Sequence, residues 1–195
     1  MTREIEIEAK NLLTKDELYR LQHYLSIEDN QFVTQTNHYF ETSNFDLKEK
    51  KSALRIREKN GQYVITLKQP NEVGLMETNQ IVSKEEAEQM IETGKLPDGE
   101  VKVDVKALSV PLNQFTCLGS LTTSRAEVTY KNQLVVLDIS QYFDIVDYEL
   151  EIEGTSIEEV NSLFEDILQQ HNIPKRPTMN KIVRFFERKQ QLQSF

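Results

Sequence analysis

Residues 4–10 read Glu-Ile-Glu-Ile-Glu-Ala-Lys, with a carboxylate at every second position and an ammonium at the end. On a β-strand alternate side chains share a face, so Glu4, Glu6, Glu8 and Lys10 point one way and Ile5, Ile7 and Ala9 the other. Late in the chain, Glu149, Glu151 and Glu153 alternate with Leu150 and Ile152 in the same manner. Between these two stretches, Arg55 and Arg57 oppose Leu54 and Ile56, and Thr66 and Lys68 oppose Ile65 and Leu67. Arg125 shares a face with Glu127, and Asp138 sits among apolar neighbours. Carboxylate oxygens are hard ligands suited to Mg²⁺ or Mn²⁺, which bind through a few carboxylates together with phosphates. Arginine and lysine suit phosphate oxygens, the first as a bidentate fork and the second as a point charge. A polyphosphate carrying a divalent metal would bridge the two sets.

Any one of these strands, taken alone, reads as a solvated face, because polar-out alternation is what half-buried strands do. Taken jointly that reading weakens. Wet faces mix Ser, Thr, Gln, Lys and Glu, whereas here Glu recurs three in a row on two strands and Arg twice on another. Cross-strand salt bridges would also account for the pattern, though surface pairs of that kind add little stability. Charges packed away from bulk water need either one another or a ligand.

The elements that must position these residues follow from periodicity and punctuation. Thr14 and Glu17 form a capping-box pattern ahead of Leu18, Leu21 and Leu25 at helical spacing. Residues 31–42 are β-prone, and 43–51 read as a turn with room for a short helix. Residues 53–70 read as a hairpin around Asn60-Gly61. A further strand (75–83) leads into a capped helix stopped by Gly94. Residues 95–118 fit strand or helix, and we read them as helical. Strands follow at 121–130, 133–140 and 142–154, then a helix at 156–171 opened by Ser156 and Glu159, and a last helix at 180–192. That is roughly eight strands in hairpin-like succession. Their apolar sides need helices over them, leaving the charged sides to face inward. The expectation is an α+β fold, one domain over residues 1–195, built as a closed eight-stranded antiparallel barrel with helices packed outside.

Composition narrows the function classes. The net charge of −9, with 28% charged residues, argues against a broad basic face for nucleic acid. A single cysteine, Cys117, excludes an internal disulfide or a multi-cysteine metal site and fits a reducing compartment. His23, His38 and His171 show no metal spacing. No stretch approaches the roughly 20 apolar residues of a membrane span, and the first residues do not resemble a signal peptide. A cytoplasmic protein with no nucleic-acid or membrane partner is expected.

Glu6-x-Glu8-x-Lys10 is similar to the ExExK signature of the CYTH proteins, the triphosphate tunnel metalloenzymes. The segments containing Arg55, Lys68, Arg125, Asp138 and Glu151 follow in that family's order, and Lys181 falls in the last helix, where a tunnel lysine is expected. The resemblance covers nearly the whole chain. It implies an eight-stranded barrel whose charged tunnel holds a triphosphate-bearing small molecule and Mg²⁺ or Mn²⁺, in a monomer or homodimer. It further implies metal ligands or catalytic carboxylates at Glu6, Glu8, Asp138, Glu149 and Glu151, with Asp138 as ligand or orienter. The implied phosphate clamp is Lys10, Arg55, Arg57, Lys68, Arg125 and Lys181. Leu75 departs from the pattern, standing where many relatives carry Arg, and Glu4 and Glu153 lie outside the signature, both expected at the tunnel rim. The implied activity is metal-dependent hydrolysis of inorganic triphosphate or a small organic triphosphate. The alternatives are a class IV adenylyl cyclase and a non-catalytic polyphosphate-binding module. A lipocalin-like barrel for apolar ligands fits less well, since its lumen would be aliphatic.

Overall fold

The structure, a computed structural model, describes residues 2–193. In chain order it runs β1 (Thr2–Leu13), α1 (Lys15–Tyr24), β2 (Val33–Thr42), α2 (Asp46–Glu49), β3 (Ala53–Lys59), β4 (Gln62–Asn71), β5 (Gly74–Val82), α3 (Lys84–Thr93) and α4 (Glu100–Ala107). It continues with β6 (Phe115–Tyr130), β7 (Gln133–Tyr142), β8 (Ile145–Gly154), α5 (Ile157–Gln170) and α6 (Lys181–Gln193). The strands close into a barrel in the order β1-β5-β4-β3-β2-β6-β7-β8. Local chemistry explains most boundaries. Asn60 (φ 52°) and Gly61 (φ 75°) both take the left-handed region, which the tight β3–β4 turn requires. Thr14 and Ser83 each make a reciprocal capping box, with Glu17 and Glu86 respectively. Gly94 ends α3 at φ 72°, and any Cβ there would lie 1.7 Å from the Phe115 carbonyl oxygen.

Two compact units divide the chain. One comprises the chain up to Glu6 with Gln35–Leu121. Its core packs Leu54 and Ile56 of β3 and Ile65 and Leu67 of β4 against Ala87 and Met90 of α3 and Val101 and Val105 of α4. The other comprises Ile7–Thr34 and the chain from Thr122 onward. Its core packs Val135, Leu137, Leu150 and Ile152 of β7 and β8 against Leu18 and Leu21 of α1 and Val160, Leu163, Phe164 and Ile167 of α5. Burying each such aliphatic side chain contributes about 1.5–3 kcal/mol. In both units these aliphatic strand residues pack on helices, so alternation turns the charged residues beside them the opposite way.

Residues 95–118 behave as read only in part. α4 covers Glu100–Ala107, but Phe115–Leu118 open β6 rather than a helix. The last helix starts and ends one residue later than the periodicity predicts.

Candidate active site

In the unit built on β3–β5, strand pairing sets Lys68 directly opposite Glu77, Arg55 opposite Thr66, and Arg57 opposite Val64. Lys68 Nζ donates to Glu6 Oε2 at 2.5 Å and also pairs with the Glu77 carboxylate. Burial alone would raise the Glu77 carboxyl, but the Lys68 ammonium and the Arg55 guanidinium outweigh it and hold the group down at about 2. Arg57 Nε donates to Asn37 Oδ1 at 3.0 Å, which fixes the plane of its guanidinium. The Nε of Arg55 is buried with no hydrogen-bond partner, so this side chain keeps donor capacity in reserve.

In the other unit, β1 lies against β8 with Glu8 opposite Glu153 and Lys10 opposite Glu151, and Asp138 of β7 lies between Arg125 and Glu149. Arg125 grips Asp138 with two parallel bonds, Nε to Oδ1 at 2.8 Å and Nη2 to Oδ2 at 2.7 Å, and reaches Glu151 from the same nitrogen. Lys181 of α6 stands over the same group, 2.9 Å from Asp138 Oδ2, 2.7 Å from Glu149 Oε1 and 2.5 Å from Glu151 Oε1. Burial would lower the Lys181 ammonium, yet Glu151, Asp138 and Glu149 around it hold it well above the ordinary lysine range. Glu151 is correspondingly driven well below the carboxylate range, by Lys181 and Arg125 against its own burial. Glu149 goes the other way. Burial, reinforced by the Glu151 charge, pushes it up to about 7 despite Lys181 and Arg184.

The carboxylates therefore sort into two kinds. Asp138, Glu149 and Glu151 are engaged by Arg125, Lys181 and Arg184 in one buried charge network. Glu6 and Glu8 of β1 and Glu153 of β8 each present an oxygen within 4.8 Å of the others, with Lys68 beside Glu6, Lys10 beside Glu8 and Arg125 beside Glu153. Three hard donors converging so closely fit a divalent cation of the Mg²⁺ or Mn²⁺ type, which satisfies like charges that otherwise repel. Lys10 pairs with Glu8 beside them.

Two residues of this arrangement escape the sequence reading. Glu153 lies outside the ExExK pattern, although its alternation with Glu149 and Glu151 already places it on their face. Arg184, only 8% exposed, donates to Glu149 and stands 3.0 Å from Asp147 through Nε. Its signal is helical: it lies three residues beyond Lys181, on the same face of α6. Glu4 keeps the strand alternation but is exposed, accepting from Asn79 at 3.0 Å. Leu75 falls opposite Glu6 on β5, adding no cation there.

The class that the fold defines is a closed eight-stranded barrel whose aliphatic strand residues meet helices and whose acidic and basic residues alternate with them. The CYTH domain model matches residues 4–186, and the chain belongs to the CYTH family. A Bacillus subtilis (strain 168) protein named "Putative triphosphatase YjbK" is 45% identical over 189 residues, covering 97% of this chain and 98% of its own. A Bacillus halodurans structure described as a "putative adenylate cyclase" is 48% identical, with a TM-score of 0.92 over 95% of this chain and 100% of its own. The Hippeastrum protein HpAC1, a "putative adenylyl cyclase" described as having a dominant triphosphatase activity, is 26% identical. Its TM-score is 0.80, covering 94% of this chain and 95% of its own. Among the described residues no helix is long and apolar enough to cross a membrane.

Proposed function

We propose that this protein is a metal-dependent phosphohydrolase that cleaves inorganic triphosphate or a small organic triphosphate to orthophosphate and the shortened phosphate. The observation that carries the reading is the Glu6, Glu8 and Glu153 group set beside Lys10 on β1, in a chain of the CYTH family. Lys10, Arg55, Arg57, Lys68, Arg125 and Lys181 bind phosphate oxygens. Arg55 has a buried, unpartnered Nε to offer, and the lysines exchange a carboxylate for a phosphate as the substrate arrives. Glu6, Glu8 and Glu153 would hold Mg²⁺ or Mn²⁺, which supplies charge neutralisation on the phosphate oxygens and activation of water when bound. Asp138 and Glu151 aim Arg125 and Lys181, and Glu149 holds Lys181 from its other side. Phosphoryl transfer asks for positioning and charge stabilisation more than for covalent help, and this set of residues supplies both.

The relatives' names favour one second reading, cyclisation of ATP to cyclic AMP and pyrophosphate. Incubation with Mg²⁺ or Mn²⁺ and either tripolyphosphate or ATP separates the two. Orthophosphate without cyclic AMP is expected; cyclic AMP with pyrophosphate would overturn the hydrolase reading.

A further inference from the structure

We propose that Arg184 is a positioning residue that frees Lys181 for the substrate by holding Glu149 from the other side, an inference that rests on Lys181 binding triphosphate. The guanidinium of Arg184 works in three directions. Nη1 donates to the Met179 carbonyl at 2.8 Å, just ahead of α6. Nη2 donates to Glu149 Oε2, and Nε forms an ion pair with Asp147 Oδ2 at 3.0 Å without hydrogen-bond alignment. Asp147 in turn accepts from the Tyr142 hydroxyl at 2.7 Å. Glu149 is 1% exposed, and its other oxygen takes Lys181 Nζ at 2.7 Å. One carboxylate is thus shared between two cations one helical turn apart.

A buried carboxylate left with a single cation holds that cation tightly, because separating them strands a charge away from water. Lys181 divides its ammonium among Asp138, Glu149 and Glu151. To bind a phosphate oxygen it must loosen at least one of these contacts. While Arg184 neutralises Glu149, that contact is the one given up at least cost. Without Arg184, Glu149 in its charged form competes with the substrate for Lys181. The rigid fork of Arg184, anchored by Asp147 and the Met179 carbonyl, keeps Glu149 stationary during the exchange.

The test is a double-mutant cycle between Arg184→Met and Lys181→Met. It is read as kcat and KM for tripolyphosphate hydrolysis and as tripolyphosphate affinity by calorimetry without metal. Misplacement of a binding group costs about 10²-fold, so Arg184→Met is expected to raise KM and weaken affinity by up to about that factor with a smaller fall in kcat. The double variant should be no worse than Lys181→Met within about threefold, since both changes remove one interaction. Arg184→Lys should recover part of the loss. Multiplication of the two single losses overturns the proposal, as does an Arg184→Met protein that melts lower but binds normally. Should Arg184→Met not fold, Asp147→Asn loosens the same guanidinium, and its smaller KM rise must likewise vanish in the Lys181→Met background. A Lys181→Met protein with unchanged binding overturns the reading of Lys181 itself, and this inference with it. Independent losses in the cycle overturn this inference alone.

Discussion

At the scale of single residues, the alternating glutamates of β1 are not equivalent. Glu8 has Glu153 directly opposite, Lys10 as its ion-pair partner, and Glu6 close by on the same strand face. Glu4 shares the strand face but is exposed and accepts one bond from Asn79. Glu8→Gln removes the charge of a proposed metal ligand without changing shape. Turnover is expected to fall by about 10² to 10³, the range seen when one electrostatic group is removed from a site of this kind. Stability should hold to within about 1 kcal/mol, since relief of repulsion with Glu6 and Glu153 offsets the lost pair with Lys10. Glu4→Gln should change turnover less than about threefold, because an exposed group in water has little leverage on a buried reaction. Rates with a metal titration, alongside thermal melts, check both variants. Equal effects would refute the division, and a Glu8→Gln protein that keeps full polyphosphate affinity with no activity to lose would favour a binding module. The alternation alone could not draw this distinction. It assigns a face, whereas metal and rim positions along one face differ only by what lies opposite.

At the scale of elements, the placement of α6 depends on a segment that periodicity does not see. Between Pro174 and Thr178 the chain is tied to β1: Arg176 N–H donates to Asn11 Oδ1 at 2.7 Å, Leu12 N–H donates to Thr178 Oγ1 at 2.9 Å, and Asn11 Nδ2 donates to the Pro174 carbonyl at 3.1 Å. Glu17 is the knot. It accepts Thr14 N–H at 2.7 Å in the cap of α1 and both terminal nitrogens of Arg176, at 2.8 and 3.0 Å. Burial alone would raise the Glu17 carboxyl; the bonds from Arg176 and Thr14 reverse that and hold it below the usual value. A carboxyl lowered in the folded state stabilises fully above its unfolded value, near 4.5, and the gain disappears as pH falls through the folded value. Glu17→Ala is therefore expected to cost about 1–2 kcal/mol at pH 7, from a lost cap and a half-shielded ion pair. Urea denaturation should show the gap to wild type closing on acidification from about pH 5 toward pH 3. A gap independent of pH would contradict this. The elements that the sequence made legible were those with a repeating signal: eight alternating strands, the Asn60-Gly61 hairpin and the boxes at Thr14 and Ser83. Val101, Val103 and Val105 show where such a signal fails. Their alternation suits a strand, yet the helix buries the outer two by i, i+4 spacing and leaves Val103 59% exposed. The box at Ser156 is only half made, since Ser156 Oγ accepts Glu159 N–H at 3.3 Å while the Glu159 carboxylate takes Gln133 Nε2 at 3.0 Å. Arg184 was hidden for a related reason, because an arginine on a polar helix looks solvated until a strand partner is known.

At the scale of the whole molecule, 32 acidic residues against 23 basic ones give an acidic chain that is proposed to bind a polyanion. The distribution of charge reconciles the two. Each unit has its own apolar core beneath its helices, so folding does not depend on a ligand to neutralise the site. The cations of the site are balanced meanwhile by carboxylates: Lys68 by Glu6 and Glu77, Lys10 by Glu8, and Arg125 and Lys181 by Asp138 and Glu151. Buried pairs of this sort add little net stability, because desolvation consumes most of the attraction. On the proposed function, a triphosphate with its metal would replace internal partners with external ones of the same sign, and the binding free energy would add to that of the fold by mass action. At about 100 times the dissociation constant the gain is ~2.7 kcal/mol. For a chain of this size that corresponds to a rise in melting temperature of about 5–10 °C. Scanning calorimetry of the Glu8→Gln protein, which turns over little substrate, should show part of this rise with tripolyphosphate alone, carried by the Arg and Lys set. Wild-type protein with tripolyphosphate and Mg²⁺ should show the full rise at the start of incubation and lose it as hydrolysis proceeds. Sodium chloride at matched ionic strength should shift neither protein by more than about 1 °C, since partly buried pairs are screened far less than exposed ones. An equal shift from salt and tripolyphosphate would mean that the charges respond to ionic strength rather than to a bound ligand, and would remove the argument that these strand faces form a binding site.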